Sequence, residues 1–190
     1  MPALRSLSDS FPSTPTPDDI EKFCTAAHRG DRETVEQYLD QYGADIIDKR
    51  DNINARAITW AAYAGKTEIV DLLLERGADI NAGGTNDKPA LTWAADMGRR
   101  DVAKLLLDKG ADIGVKDQSG ETPLDYAKRR SNKDIAQLFD NYLEERAEKA
   151  RLEEERKQEE RMRAISGARR EMLKKNPPPK LKRKTPKHNR

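Results

Sequence analysis

The sequence predicts an all-α solenoid of helix-turn-helix repeats, and three observations predict it. Two independent landmark series share one period: Gly43, Gly77 and Gly110 stand 34 and 33 apart, and Ile58, Leu91 and Leu124 stand 33 apart. Between the landmarks, apolar residues recur at helical spacing, as Ile69, Leu72, Leu73 and again Val102, Leu105, Leu106. Charged residues make up 37% of the 190 residues and aromatics 5%, against about 25% charged in an average globular domain. One dense core across the whole length is therefore excluded.

The elements follow in order. Residues 1 to 17, rich in Ser, Thr and Pro, read as a flexible arm. The repeats occupy 18 to 143, as units of about 18–50, 51–83, 84–116 and 117–143. Their endings align as "LDQYGADIID", "LLERGADINA" and "LLDKGADIGV". Their first helices align as "AITWAAYAG", "ALTWAADMG" and "TPLDYAKRR", and "FCTAAHRGDRETVEQYL" fits the same register one unit earlier. Thr122 is the expected N-cap of the last first helix, with Pro123 at a position whose N–H has no intrahelical partner. Gly65 and Gly98 are expected to end short first helices in a left-handed conformation. Asp31, Thr67 and Asp101 then stand where the second helices begin. Polar outer residues at both ends, Asp18 to Lys22 and Arg129 to Asn132, suit terminal repeats that lack a neighbour.

On these residues the chain resembles the ankyrin-repeat family, in which a turn is followed by two antiparallel helices with a Thr-Pro-Leu-His-x-Ala signature. Thr122-Pro123-Leu124 matches best, with Asp125 where His is usual, and the Gly-Ala-Asp-Ile endings and "EIVDLLLERG" match strongly. The resemblance implies that partners are held by the hairpin tips and the concave side of the first helices. By register those slots are Arg50, Asn52, Ile53, Ala55, Tyr63 and Ala64 in the second unit. In the third they are Thr85, Asn86, Lys88, Asp96 and Met97, and in the fourth Gln118, Ser119, Glu121, Arg129 and Arg130. Ile53, Tyr63 and Met97 lead, because an exposed apolar or aromatic side chain in a groove is what a hot spot needs. Trp60, Trp93 and Tyr126 share one slot of successive first helices and read first as packing between them. "AGGTND" (82 to 87) departs from the usual turn sequence.

Beyond the repeats, 144 to 173 reads as a charged helix supported by Glu145–Lys149, Glu153–Lys157 and Glu159–Arg163 pairs. It has no heptad seam for a stable coiled coil, and Ser166-Gly167 is expected to weaken it. Residues 174 to 190 read as a disordered basic tail led by Lys180, Lys182, Arg183, Lys184 and Lys187. The charge is segregated: residues 1 to 143 carry a net −6 and 144 to 190 a net +8, the pattern of an interaction tail.

No catalytic, cofactor or metal site is expected. Cys24 lies four residues before His28, but both occupy slots that the repeat already explains, and no Gly-rich phosphate loop appears. No apolar run approaches the ~18 residues of a membrane span. The expectation is a noncatalytic, monomeric, cytoplasmic adaptor that binds a protein in its groove. The alternative is a nucleic-acid- or ribosome-associated factor whose tail contacts phosphates, with "KLKRK" also readable as a nuclear import signal. Docking of the tail on an acidic partner, or on the acidic repeats themselves, is a third use.

Overall fold

The structure is a computed structural model that describes residues 14–177, and among these it is helical with no strand. Two units divide the chain, residues 1–142 and 143–190.

In the first unit, four helical pairs stack. They are α1 (Pro17–Arg29) with α2 (Arg32–Tyr42), α4 (Ala57–Ala64) with α5 (Thr67–Glu75), α6 (Ala90–Asp96) with α7 (Arg100–Asp108), and α8 (Pro123–Arg129) with the start of α9 (Lys133–Lys175). First helices pack on first helices through alanine: Ala27, Ala61, Ala62, Ala94, Ala95 and Ala127 are fully buried, because small side chains let neighbouring helices approach closely. Leucine and isoleucine fill the layer behind, with Ile58, Leu73, Leu91, Leu106 and Ile135 all sealed from solvent. Phe139, fully buried on α9, closes the last pair.

Local chemistry sets the boundaries. Thr122 caps α8 as expected: its hydroxyl oxygen accepts from the Asp125 N–H at 3.3 Å, and the Asp125 carboxylate accepts the Thr122 N–H at 2.9 Å. The same Thr-Pro-x-Asp box recurs at Thr16-Pro17-Asp18-Asp19, so the first helix begins inside the segment read as a flexible arm. The rest of that arm, residues 1–13, lies outside the described residues. Gly65 (φ +77) and Gly98 (φ +69) turn the chain back in the left-handed region, as expected. Of the three residues placed at the start of the second helices, only Asp31 caps with its side chain, accepting the Thr34 N–H at 3.2 Å. Thr67 and Asp101 sit one and two residues inside α5 and α7, after Lys66 and Arg99.

One element was not anticipated. Ala44–Ile47 forms a helical turn, α3, where the equivalent Gly-Ala-Asp-Ile segments of the next units do not. Those segments end in Asn81 and Gly114, which suit an open turn, and the Asn81 side chain accepts the Asp112 N–H at 2.9 Å. Ile47 replaces them in the first unit and is buried with Ile46.

In the second unit, residues 143–175 continue helix α9 to Lys175 without a break at Ser166-Gly167. Nothing crowds Gly167, so the glycine lowers helical propensity without interrupting the hydrogen-bond ladder. Glu153–Lys157 (3.0 Å) and Glu159–Arg163 (3.8 Å) pair as expected, and Glu148–Arg151 (2.8 Å) takes the place of the expected Glu145–Lys149.

Candidate groove and its aromatic pocket

The turns before the first helices of the second and fourth units are each shaped by a carboxylate, half-buried at Asp51 and buried at Asp117. Asp51 Oδ1 accepts the N–H groups of Ile53 (3.0 Å) and Ala55 (2.8 Å), and Asp117 Oδ1 accepts those of Ser119 (2.8 Å) and Glu121 (3.0 Å). Each aspartate uses its second oxygen on the aromatic slot of its own unit: Trp60 Nε1 donates to Asp51 at 2.7 Å, and the Tyr126 hydroxyl donates to Asp117 at 2.6 Å. The tip is thereby tied to the first helix. Burial alone would raise the Asp117 carboxyl, but the Tyr126 hydroxyl and the two backbone N–H groups outweigh it and hold it below the usual carboxylate range. Burial first, and then the bond to Asp117, pushes the Tyr126 phenol well up.

The third unit lacks this clasp. Two periods of 33 separate Asp51 from Asp117, and the slot between them is Gly84. A Cβ there would come within 2.9 Å of Thr59 Oγ1, and Thr59 is held by the Arg56 backbone, accepting its N–H at 3.0 Å and donating to its carbonyl at 2.8 Å. The irregular "AGGTND" tip follows, with Asn86 (φ +59) and Asp87 (φ +55) both left-handed. Thr85 compensates by donating its hydroxyl to the Ile53 carbonyl at 2.9 Å, which fastens the second tip to the third.

Between these two tips and helices α4 and α6 lies an apolar pocket of about 200 Å³, lined by Ile53, Ala55, Thr59, Trp60, Tyr63, Thr85 and Trp93. Its rings meet edge to face: Trp60 with Tyr63 at 5.9 Å, Tyr63 with Trp93 at 5.6 Å, and His28 against Trp60 at 5.1 Å. Ile53 is 51% exposed at the rim.

The residues expected at the groove divide accordingly. Ile53, Ala55, Tyr63 and Thr85 converge on the pocket, although Ala55 itself is buried. Asn52 is exposed and Ala64 half-buried, and neither lines the pocket. Met97, half-buried at the end of α6, does not line it either. Several others are engaged with one another. Asp96 is buried and pairs with Arg130 at 2.5 Å, Glu121 accepts from Arg129 at 3.0 Å, and Arg50 donates to Asn54 at 2.7 Å. Gln118 donates its backbone N–H to the Asn86 carbonyl, and the Ser119 side chain is exposed. Lys88 lies with its ammonium 4.8 Å from the Trp93 ring and 4.2 Å from Tyr126, and Arg129 stacks on the same Tyr126 at 4.3 Å. Trp60 and Trp93 both pack between first helices and wall the pocket, a second use that their 33-residue spacing alone did not disclose. The tail residues Lys180, Lys182, Arg183, Lys184 and Lys187 lie outside the described residues.

Cys24 and His28 do not form a nucleophilic pair. Burial pushes the Cys24 thiol up to about 12, so it carries no thiolate near neutrality, and His28 packs edge-on to Trp60 and tilted against Tyr63. Among the described residues no cluster of His, Cys, Asp or Glu could hold a metal ion, and no helix is long and apolar enough to cross a membrane.

Comparison with curated proteins gave no match. A family model described as "Ankyrin repeats (3 copies)" matches residues 23–117, half of the chain. Ankyrin repeats are generally noncatalytic protein–protein interaction modules. With its stacked helical pairs, its 33-residue period and this match, the chain belongs to the ankyrin-repeat family.

Proposed function

We propose that the protein is a noncatalytic adaptor that holds a protein partner against the hairpin tips and first helices of its second to fourth units. The pocket between the second and third tips carries the reading. Ile53, Tyr63, Trp60 and Trp93 offer apolar and aromatic surface in a recess, the composition that dominates binding energy at protein interfaces. The second and fourth tips are clasped to their helices by Asp51 and Asp117, and the third is tied to the second by the Thr85 hydroxyl, so the groove is preorganised and little ordering entropy opposes binding. The basic C-terminal residues then serve as an electrostatic second contact that raises encounter rates. The expected address stays cytoplasmic and the expected state monomeric.

A photo-crosslinking residue placed at Ile53 in the full chain tests this reading, with the same residue at exposed Glu75, on a second helix, as control. The reading expects one specific partner captured from Ile53 and not from Glu75. Equal capture from both positions, or capture from Glu75 alone, overturns it.

A further inference from the structure

The third unit is one carboxylate short. In its neighbours the aromatic slot donates to a tip aspartate, Trp60 to Asp51 and Tyr126 to Asp117. In the third unit Gly84 holds that slot, and Thr59 fills the space a side chain would need. Among the described residues the Trp93 indole N–H forms no hydrogen bond, and the atom is not sealed from solvent. Lys88 stands over the same ring, and no carboxylate oxygen among the described residues lies within 4.0 Å of its ammonium. Trp93 therefore walls the apolar pocket, and Lys88, which does not itself line it, holds a charged donor over the same ring.

Resting on the groove reading above, we infer that this pocket binds a peptide segment carrying a large apolar side chain and a nearby carboxylate, the first seated in the pocket and the second accepting from Trp93 Nε1–H and Lys88. The volume of about 200 Å³ is below the ~300 to 1,000 Å³ typical of small-molecule sites, and suits one side chain of leucine, methionine or phenylalanine size. The Lys88 ammonium lies 4.8 Å from the Trp93 ring centre. At ~3.3 Å per residue of extended peptide, the acid falls one or two residues from the anchor. The aromatic walls could instead attract a cation, but no carboxylate lines the pocket to balance one, and Lys88 already occupies Trp93. A charge-assisted bond to a carboxylate is stronger than a neutral one, so the acid should decide selectivity.

The test uses the full chain and a displayed library of 12-residue peptides, followed by synthesis of the enriched peptides with amidated C-termini. Trp60 and Trp93 are the only tryptophans and both line the pocket, so their emission reports occupancy directly. The expected consensus is a large apolar residue with Asp or Glu one or two positions away. Lys88→Gln and Trp93→Phe, which keep the packing, should each weaken binding about tenfold. Replacing the peptide's acid by its amide should weaken wild type equally and the Lys88→Gln variant hardly at all. If amidated peptides fail and free C-termini bind, the carboxylate comes from a chain end and the inference stands. Enriched peptides that lack an acid but lose binding in Ile53→Asp would overturn the inference and leave the groove reading intact. Peptides indifferent to Ile53→Asp, or no enrichment at all, would overturn both.

Discussion

Replacing Asp117 by alanine should cost the repeat domain about 3 kcal/mol. The carboxylate is 7% exposed and accepts three bonds, from the Tyr126 hydroxyl at 2.6 Å, Ser119 N–H at 2.8 Å and Glu121 N–H at 3.0 Å. A hydrogen bond to a neutral group contributes about 1 kcal/mol and one to a charged group about 1.5 to 3. Shared geometry and water reaching the freed backbone groups reduce three such bonds to roughly 3 kcal/mol in total. For a domain of this size that corresponds to a fall in Tm of about 10 °C. Tryptophan emission during thermal unfolding measures it, and hydrogen exchange localises it, since repeat stability is a sum of nearest-neighbour terms and opening should concentrate in α8 and the last tip. The acid limb is a second arm. Because the folded Asp117 carboxyl lies below its ordinary value, its contribution is fully present above the unfolded value of ~3.9. It fades as pH falls through the folded one. The variant should accordingly lose less stability than wild type on acidification below about pH 4. A fall of under about 1 kcal/mol, no larger than that of exposed Asp45→Ala, would refute the clasp as a structural element.

Other outcomes follow from the same geometry. Cys24 is buried with its thiol pushed up to about 12, so at pH 8 the folded protein should react with a thiol reagent only as fast as it opens. Immediate labelling would contradict that burial. Gly167→Ala, in an exposed and uncrowded stretch of α9, should favour the helix by about 0.5 to 1 kcal/mol, seen as increased helical circular dichroism; no gain would mean that this segment is not helical in solution. Deleting residues 161–190, which hold 12 Lys and Arg against one acid, should leave partner capture in place while reducing its salt dependence. Loss of capture, with a steep logarithmic salt slope beforehand, would favour the phosphate-binding alternative.

Much of the architecture is legible in the residues. The period is written twice, in Gly43, Gly77, Gly110 and in Ile58, Leu91, Leu124, because stacking requires each unit to present the same face at the same interval. Thr122, Gly65 and Gly98 likewise act through local chemistry that one segment determines alone. Effects that depend on neighbouring units were less visible. The Thr16 box was hidden because Pro and Thr in a polar stretch also suit an unstructured arm. The pocket was half visible: Ile53 and Tyr63 were identified from register, whereas Met97, in the register of Ala64, lies with it away from the pocket. Trp60 and Trp93 wall it because the second and third tips come together there, bridged by the Thr85 hydroxyl on the Ile53 carbonyl. Gly84 could be seen to depart from Asp51 and Asp117, yet its meaning needed the position of Thr59.

Hydrogen exchange of the full chain, free and with the partner crosslinked through Ile53, tests the groove most directly. Slowed exchange should concentrate in residues 51–63 and 84–97. Slowing confined to α5 and α7, or to residues 143–175, would place the partner elsewhere and contradict the account.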